Sequence, residues 1–143
     1  MTDVLMTVKH HISAGHRIPG LPGSGAKCTN LHGHTFGIEW TFYVTSLDAS
    51  EFEFTAAKAV LRGWVDDYLD HGYLVAPDDE ELKSFLEAGG YKYHVIAPTP
   101  TTEALASFLL TLANHLLRPA QCVKVRIIEG PSNEAEVHCD PAR

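Results

Sequence analysis

Hydrophobic and polar residues alternate from Val4 to Ala14. Val4, Met6, Val8, His10, Ile12 and Ala14 fall on one face, and Leu5, Thr7, Lys9, His11 and Ser13 on the other, the period of two that marks a half-buried strand. The Gly- and Pro-rich stretch "RIPGLPGSGAKCTN" reads as a loop,. Alternation returns from His34 to Val44, with His34, Phe36, Ile38, Trp40, Phe42 and Val44 sharing a face, so the two runs predict an antiparallel pair. From about Phe52 to Leu69 the period changes: Phe54, Ala57, Leu61, Trp64 and Tyr68 recur at spacings of three and four, as in an amphipathic helix. "DHGY" ends it, with Gly72 as the terminating residue,.

The acidic piece "PDDEELKSFLEAGG" predicts a short helix within an excursion, and "YKYHVIA" is extended, a candidate short strand. "TPTTEALASFLLTLANHLLRP" is the clearest helix, with threonines at its start, Glu103 in its first turn, Pro119 as a stop and a stripe of Leu105, Phe108, Leu109, Leu112 and Leu116,. The runs Gln121–Glu129 and Glu134–Cys139, separated by "GPSN", predict a hairpin,. The order strand, strand, helix, short helix, helix, strand, strand favours an α+β layer, an antiparallel sheet with helices on one face.

Length and composition set the frame for this pattern. At 143 residues and 45% apolar content the chain is expected to form a single domain, 1–143, with a real core,. The beginning of the chain lacks the pattern of a secretory signal. No stretch approaches the roughly 18 apolar residues of a membrane helix, so a cytoplasmic protein with no membrane partner is expected. A formal net charge of −7 without a basic patch argues against a nucleic-acid partner,. Three cysteines, Cys28, Cys122 and Cys139, do not suggest a disulfide scaffold; Cys122 and Cys139 read as inert and buried,. Nine histidines are an excess that points to metal binding or acid–base chemistry,.

Strand parity places those histidines where they are least expected. His32 and His34 are two apart and share the face of Phe36, Ile38 and Trp40, and His16 continues the apolar face of the first strand,. Unpaired imidazoles in an apolar layer are costly to desolvate, whereas a divalent metal uses their nitrogens, and three histidines with an open fourth position form a catalytic zinc arrangement. His10 lies on the same face, and parity alone does not choose between His10 and His16. His11, His94, His115 and His138 read as surface or supporting residues.

Cys28 precedes the pair in a loop beside Lys27. It fits either a base or nucleophile ionised by a nearby dication or a fourth zinc ligand of a structural site, and spacing permits both. Asp70 and His71 form a carboxylate–imidazole pair at a helix end, equally compatible with ordinary helix-end polarity. Glu129 continues the face of Val123, Val125 and Ile127, so its carboxylate points inward. It needs a partner, either a planar ligand with adjacent N–H donors or a local Lys or Arg. Glu103 is first a helix N-terminal residue.

Together these residues resemble the 6-pyruvoyltetrahydropterin synthase superfamily, from about Ile12 to Glu129, through "ISAGHR", "CTNLHGH", "LDHGYL", "PTTEALA" and "VRIIEG" in family order. The short spacing from cysteine to the HGH pair is similar to the 6-carboxytetrahydropterin synthase branch, which serves queuosine (7-deazaguanine) biosynthesis. The resemblance implies a T-fold: a four-stranded antiparallel sheet with two main helices on one face, in subunits that assemble as homohexamers of two trimers. It implies zinc on His16, His32 and His34, and a catalytic Cys28. Asp70 and His71 would act from a neighbouring subunit, and Glu129 would anchor the pterin with Thr101, Thr102 and Glu103 near the pocket. The implied activity converts 7,8-dihydroneopterin triphosphate to 6-carboxy-5,6,7,8-tetrahydropterin, acetaldehyde and triphosphate. The alternatives are triphosphate elimination alone, giving 6-pyruvoyltetrahydropterin, or a zinc-containing pterin-binding protein without turnover. Three positions depart from the family: Ile12 where Phe is frequent, Gly15 where Ala is usual, and Glu53-Phe54 in place of Asp-Phe.

Overall fold

The computed structural model describes residues 2–142. Two strands, β1 (Val4–His16) and β2 (His32–Val44), pair antiparallel over their whole length, from Val4↔Val44 to His16↔His32. A 3-10 turn at Gly23–Thr29 lies between them. After α1 (Phe54–Tyr68) come β3 (Gly72–Val75), α2 (Glu80–Gly89), β4 (Tyr93–Val95), α3 (Thr102–Leu116), β5 (Gln121–Glu129) and β6 (Asn133–His138). The sheet has six strands in the order β4-β3-β1-β2-β5-β6, not four. The expected antiparallel four are its centre and one edge, β1-β2-β5-β6; β3 and β4 add a parallel pair on the far side of β1. β3, four residues long, is too short for periodicity to reveal, whereas the three residues of β4 fall within the extended "YKYHVIA",.

The apolar faces of β1, β2 and β5 supply Val8, Ile12, Phe36, Ile38, Trp40, Phe42, Val125 and Ile127 to one core, closed by Leu61 and Val65 of α1 and Leu105 and Leu109 of α3. The stripe of α1 is rotated from expectation: Ala57, Leu61 and Val65 are buried, while Phe54 and Tyr68 are exposed. In α3 the small residues Ala104, Ala106 and Ala113 join Leu105 and Leu109 in the core, and Phe108 and Leu112 are only half-buried. α1 ends at Leu69 rather than Gly72, which opens β3; the left-handed residue at this corner is His71, with φ 60°. Cys122 is buried as expected, but Cys139 is exposed. Among the described residues no helix is long and apolar enough to cross a membrane.

α2 packs elsewhere. Leu74 belongs to the main core, whereas its neighbour Val75 packs with Leu82 and Leu86 of α2 in a second, smaller cluster. Alternation along β3 therefore puts α2 across the sheet from α1 and α3. Asp79 caps α2 by accepting from the Leu82 N–H. The Arg17 guanidinium grips the same carboxylate bidentately, at 2.8 and 2.6 Å, so α2 is tied to the residue next to His16. This contact holds the Asp79 carboxyl below its usual range and pushes Arg17 up.

Breaking a buried pair strands a charge, so Asp79→Ala is expected to cost about 3 kcal/mol in urea unfolding. Because the folded pKa of Asp79 is depressed, its stabilisation is complete above the unfolded carboxylate value of about 4 and fades as pH falls through the folded value. The gap between wild type and variant should close in acid.

Candidate metal centre and its surroundings

The β1–β2 register sets His16 opposite His32 and Ala14 opposite His34. Three imidazoles thus converge at one end of the pair, with ring centroids 4.6 Å (His16–His32), 5.1 Å (His16–His34) and 4.9 Å (His32–His34) apart and rings set edge to face. One nitrogen from each lies within 4.8 Å of the others. Phe36 lies beneath, 5.7 Å from His16 and 5.6 Å from His34. His16 is 1% exposed.

The hydrogen bonds orient the donor set. His16 Nδ1–H donates to the Pro100 carbonyl at 2.8 Å, and His32 Nδ1–H donates to the Asn30 carbonyl at 2.7 Å. A carbonyl can only accept, so both rings carry their proton on Nδ1 and present a bare Nε2. This is the support that metal-bound histidines show. Burial pushes the His16 pKa down, and His32 and His34 add to the effect against the pull of the Pro100 carbonyl and Glu129. The neutral, ligating form is therefore favoured. Three convergent imidazoles, two of them with the tautomer fixed by a backbone carbonyl, fit a divalent metal of the zinc type,. The rival His10 is removed from contention, because its Nε2 meets Asp66 Oδ1 at 2.7 Å on the flank of α1.

Of the other predicted residues, Glu129 reaches the trio. Glu129, at the end of β5, is paired with Phe36 of β2. Its Oε2 accepts from Thr102 Oγ1 at 2.7 Å and its Oε1 lies 3.7 Å from His34 Nε2. The carboxylate points inward as the strand parity required, and its neighbours are a hydroxyl and an imidazole rather than a Lys or Arg. Thr101 is the N-cap of α3, accepting from the Ala104 N–H at 3.1 Å. Glu103 is exposed in the first turn of α3.

Cys28 sits in the 3-10 turn, half-buried, with its carbonyl accepting from the Ile18 N–H at 2.8 Å. Among the described residues its Sγ has no hydrogen-bond partner, and the metal-capable group comprises the three histidines without it.

Asp70 and His71 are fastened to β1. The Ser13 N–H donates to Asp70 Oδ1 at 2.8 Å, the His71 N–H donates to the Ser13 carbonyl at 2.6 Å, and His71 Nδ1–H donates to Asp70 Oδ2 at 2.9 Å. Partial burial, the largest single influence, raises the Asp70 pKa, but the Ser13 N–H, His71 and Lys92 together bring it below its usual value. The His71 imidazole is 79% exposed. A cleft of about 500 Å³ runs along this side of the sheet, lined by Ser13, Gly15, Thr35, His71 and Tyr73 and reaching His32 and His34. Sequence reasoning did not find the Pro100 and Asn30 carbonyls, which carry no side-chain signal. It also did not find Tyr73, whose one trace was a glycine at position 15.

The profile of the family described as 6-pyruvoyl tetrahydropterin synthase matches residues 5–139. The 6-carboxy-5,6,7,8-tetrahydropterin synthase of Rickettsia bellii (strain RML369-C) is 32% identical over 137 residues, 92% of this chain and 97% of that protein. The protein of the same name from Aquifex aeolicus is 31% identical over 122 residues, 77% of this chain and 75% of its own. Among solved structures, an uncharacterized protein of Wolinella succinogenes superposes with a TM-score of 0.83 at 18% identity, covering 98% of this chain and 100% of that one. The 6-pyruvoyl tetrahydropterin synthase of Caenorhabditis elegans superposes with a TM-score of 0.69 at 22% identity, covering 98% of each chain. At these identities the structures speak for a shared fold.

Proposed function

The chain belongs to the 6-pyruvoyl tetrahydropterin synthase family, and we propose that within it the protein is a zinc-dependent carbon–carbon lyase of queuosine biosynthesis. Its substrates are 7,8-dihydroneopterin triphosphate and one water, and its products are 6-carboxy-5,6,7,8-tetrahydropterin, acetaldehyde and triphosphate. The observation that carries the reading is the trio His16, His32 and His34, with two of its rings locked as Nδ1–H tautomers by backbone carbonyls. The short Cys28-to-His32 spacing and the names of the curated relatives support the 6-carboxy branch over simple triphosphate elimination.

His16, His32 and His34 would hold the ion through their nitrogens. Zinc bound there supplies Lewis acidity toward oxygens of the substrate side chain. Glu129 holds the pyrimidine edge of the pterin by accepting from adjacent N–H groups, with Thr102 Oγ1 fixing the carboxylate,. This places the side chain at the histidine end of the strands. The Cys28 thiolate takes a proton from the side-chain carbons. His71, its tautomer set by Asp70, relays a proton through Nε2,. Apolar Phe36 closes the floor.

His71 and Asp70 act on a site of a neighbouring copy, as the exposure of the His71 ring supports. Among the described residues, β1 over positions 4–13 has no strand on its β3 side and β6 is an outer strand. These are two edges through which copies can extend the sheet into trimers and a homohexamer. The assembly is cytoplasmic in this reading.

The test is to incubate the purified protein with 7,8-dihydroneopterin triphosphate and identify the products. Acetaldehyde in step with triphosphate supports the lyase, 6-pyruvoyltetrahydropterin without acetaldehyde supports the shorter reaction, and no turnover opposes both. Glu129→Gln should keep its zinc and lose on the order of tenfold to a hundredfold in kcat/KM, the worth of one charge-assisted hydrogen bond, measured in steady-state assays.

A further inference from the structure

β3 is short, yet much depends on it. It meets β1 through only three positions, Ala14↔Gly72, Gly15↔Tyr73 and His16↔Leu74, a pairing with little strength of its own. At its entrance stand Asp70 and His71, and its last partner on β1 is His16. His71 has φ 60°, a left-handed conformation that disfavours a side chain and persists where surrounding structure holds it. Ser13 holds it in front through two backbone hydrogen bonds, one to the Asp70 carboxylate and one from the His71 N–H, and a third bond links Asp70 to His71.

Behind it, the ring of Tyr73 lies flat over Gly15: a Cβ built at Gly15 would meet three carbons of that ring at 2.7, 2.7 and 3.0 Å. The same side chain packs against the small core of Val75, Leu82 and Leu86. It lines the cleft that holds His71, Ser13 and Thr35, and a second cleft with His71, Phe85, Tyr91 and Lys92 on its other side. The ring thus stands between the histidine-bearing end of β1 and the α2 excursion that Arg17 and Asp79 clamp.

We propose that Tyr73 is a positioning residue: seated in the space that Gly15 leaves, its ring fixes the Asp70–His71 pair against the metal-ligand end of β1. The contact is van der Waals packing of an aromatic face on backbone, so the ring and not the hydroxyl carries it. The role in turnover rests on the reading of Asp70–His71 as the proton-moving pair; the geometric claim stands on its own.

The experiment compares Tyr73→Ala, Tyr73→Phe, Gly15→Ala and the Gly15→Ala/Tyr73→Ala double variant with wild type. Tyr73→Ala should lower kcat on the order of tenfold to a hundredfold, the usual consequence of a misplaced catalytic group. KM and zinc content should stay within about twofold, since uniform binding is untouched. Tyr73→Phe should match wild type. Gly15→Ala, which displaces the ring without removing it, should resemble Tyr73→Ala, and the double variant should be no worse than the poorer single, because both break one contact.

A second readout needs no turnover. Long-range proton–nitrogen spectra of the imidazoles, with the His71 signal assigned by its loss in His71→Gln, should show the Nδ1–H tautomer in wild type and in Tyr73→Phe. In Tyr73→Ala and Gly15→Ala the signal should move toward the mixture of a free imidazole. An unmoved His71 signal in Tyr73→Ala overturns the proposal. So does a Tyr73→Phe variant as impaired as Tyr73→Ala, or loss of zinc along with kcat. A wild type inactive on the pterin but with the expected His71 shifts counts against the proposed function and leaves the positioning role supported.

Discussion

Alanine at His16 or at His32 is expected to yield protein with less than about a tenth of a zinc ion per chain and turnover below detection, since a three-histidine site has no ligand to spare. Both variants should purify as folded protein. His16→Ala also leaves the Pro100 carbonyl without its N–H donor, a loss of about 1 kcal/mol. His32 is half-buried and bonds a carbonyl at the strand entrance, so its removal isolates the effect on metal. His10→Ala is the matched control. It lies on the same apolar parity of β1, but its ring is committed to Asp66, and the variant should retain full zinc. Elemental analysis of the three variants, prepared without chelator, reads the result directly.

The second large effect concerns Cys28. Cys28→Ala is expected to keep one zinc per chain and to lose turnover by on the order of a thousandfold or more, the contribution of a lost proton-transfer or nucleophilic group. Cys28 lies outside the metal-capable group of three histidines. The turn that carries it is held to the chain two residues beyond His16 by the Ile18 N–H. That anchor is backbone, so the substitution leaves it in place. Loss of zinc in Cys28→Ala would instead identify the thiolate as a fourth ligand.

The central part of this architecture could be read from alternation alone. β1, β2, β5 and β6 were recognisable because their faces differ in polarity over six to thirteen residues. The buried imidazoles stood out because they interrupt an otherwise apolar face. Parity left His10 and His16 equivalent; what separates them is a carboxylate brought from α1, 56 positions away in the chain, and such a pairing leaves no trace in a local window.

The parallel strands β3 and β4 were missed as parts of the sheet for the same reason. Three or four residues define no period, and their place in the sheet comes from α2 and from the clamp between Arg17 and Asp79. Along α1 the core takes Ala57 and Leu61 of the expected stripe and adds Val65, while the large aromatics Phe54 and Tyr68 stay at the surface. The inward carboxylate of Glu129 was legible; its partner Thr102 became visible only when α3 was laid beside β5.

The measurement closest to the heart of this account is X-ray absorption at the zinc edge on the wild-type protein. It should show about one zinc per chain with three imidazole nitrogens at about 2.0–2.1 Å, a remaining position filled by oxygen, and no sulfur. A sulfur shell near 2.3 Å would make the centre a closed structural site with Cys28 as ligand. Protein that neither contains nor takes up a stoichiometric divalent metal would contradict the account at its base.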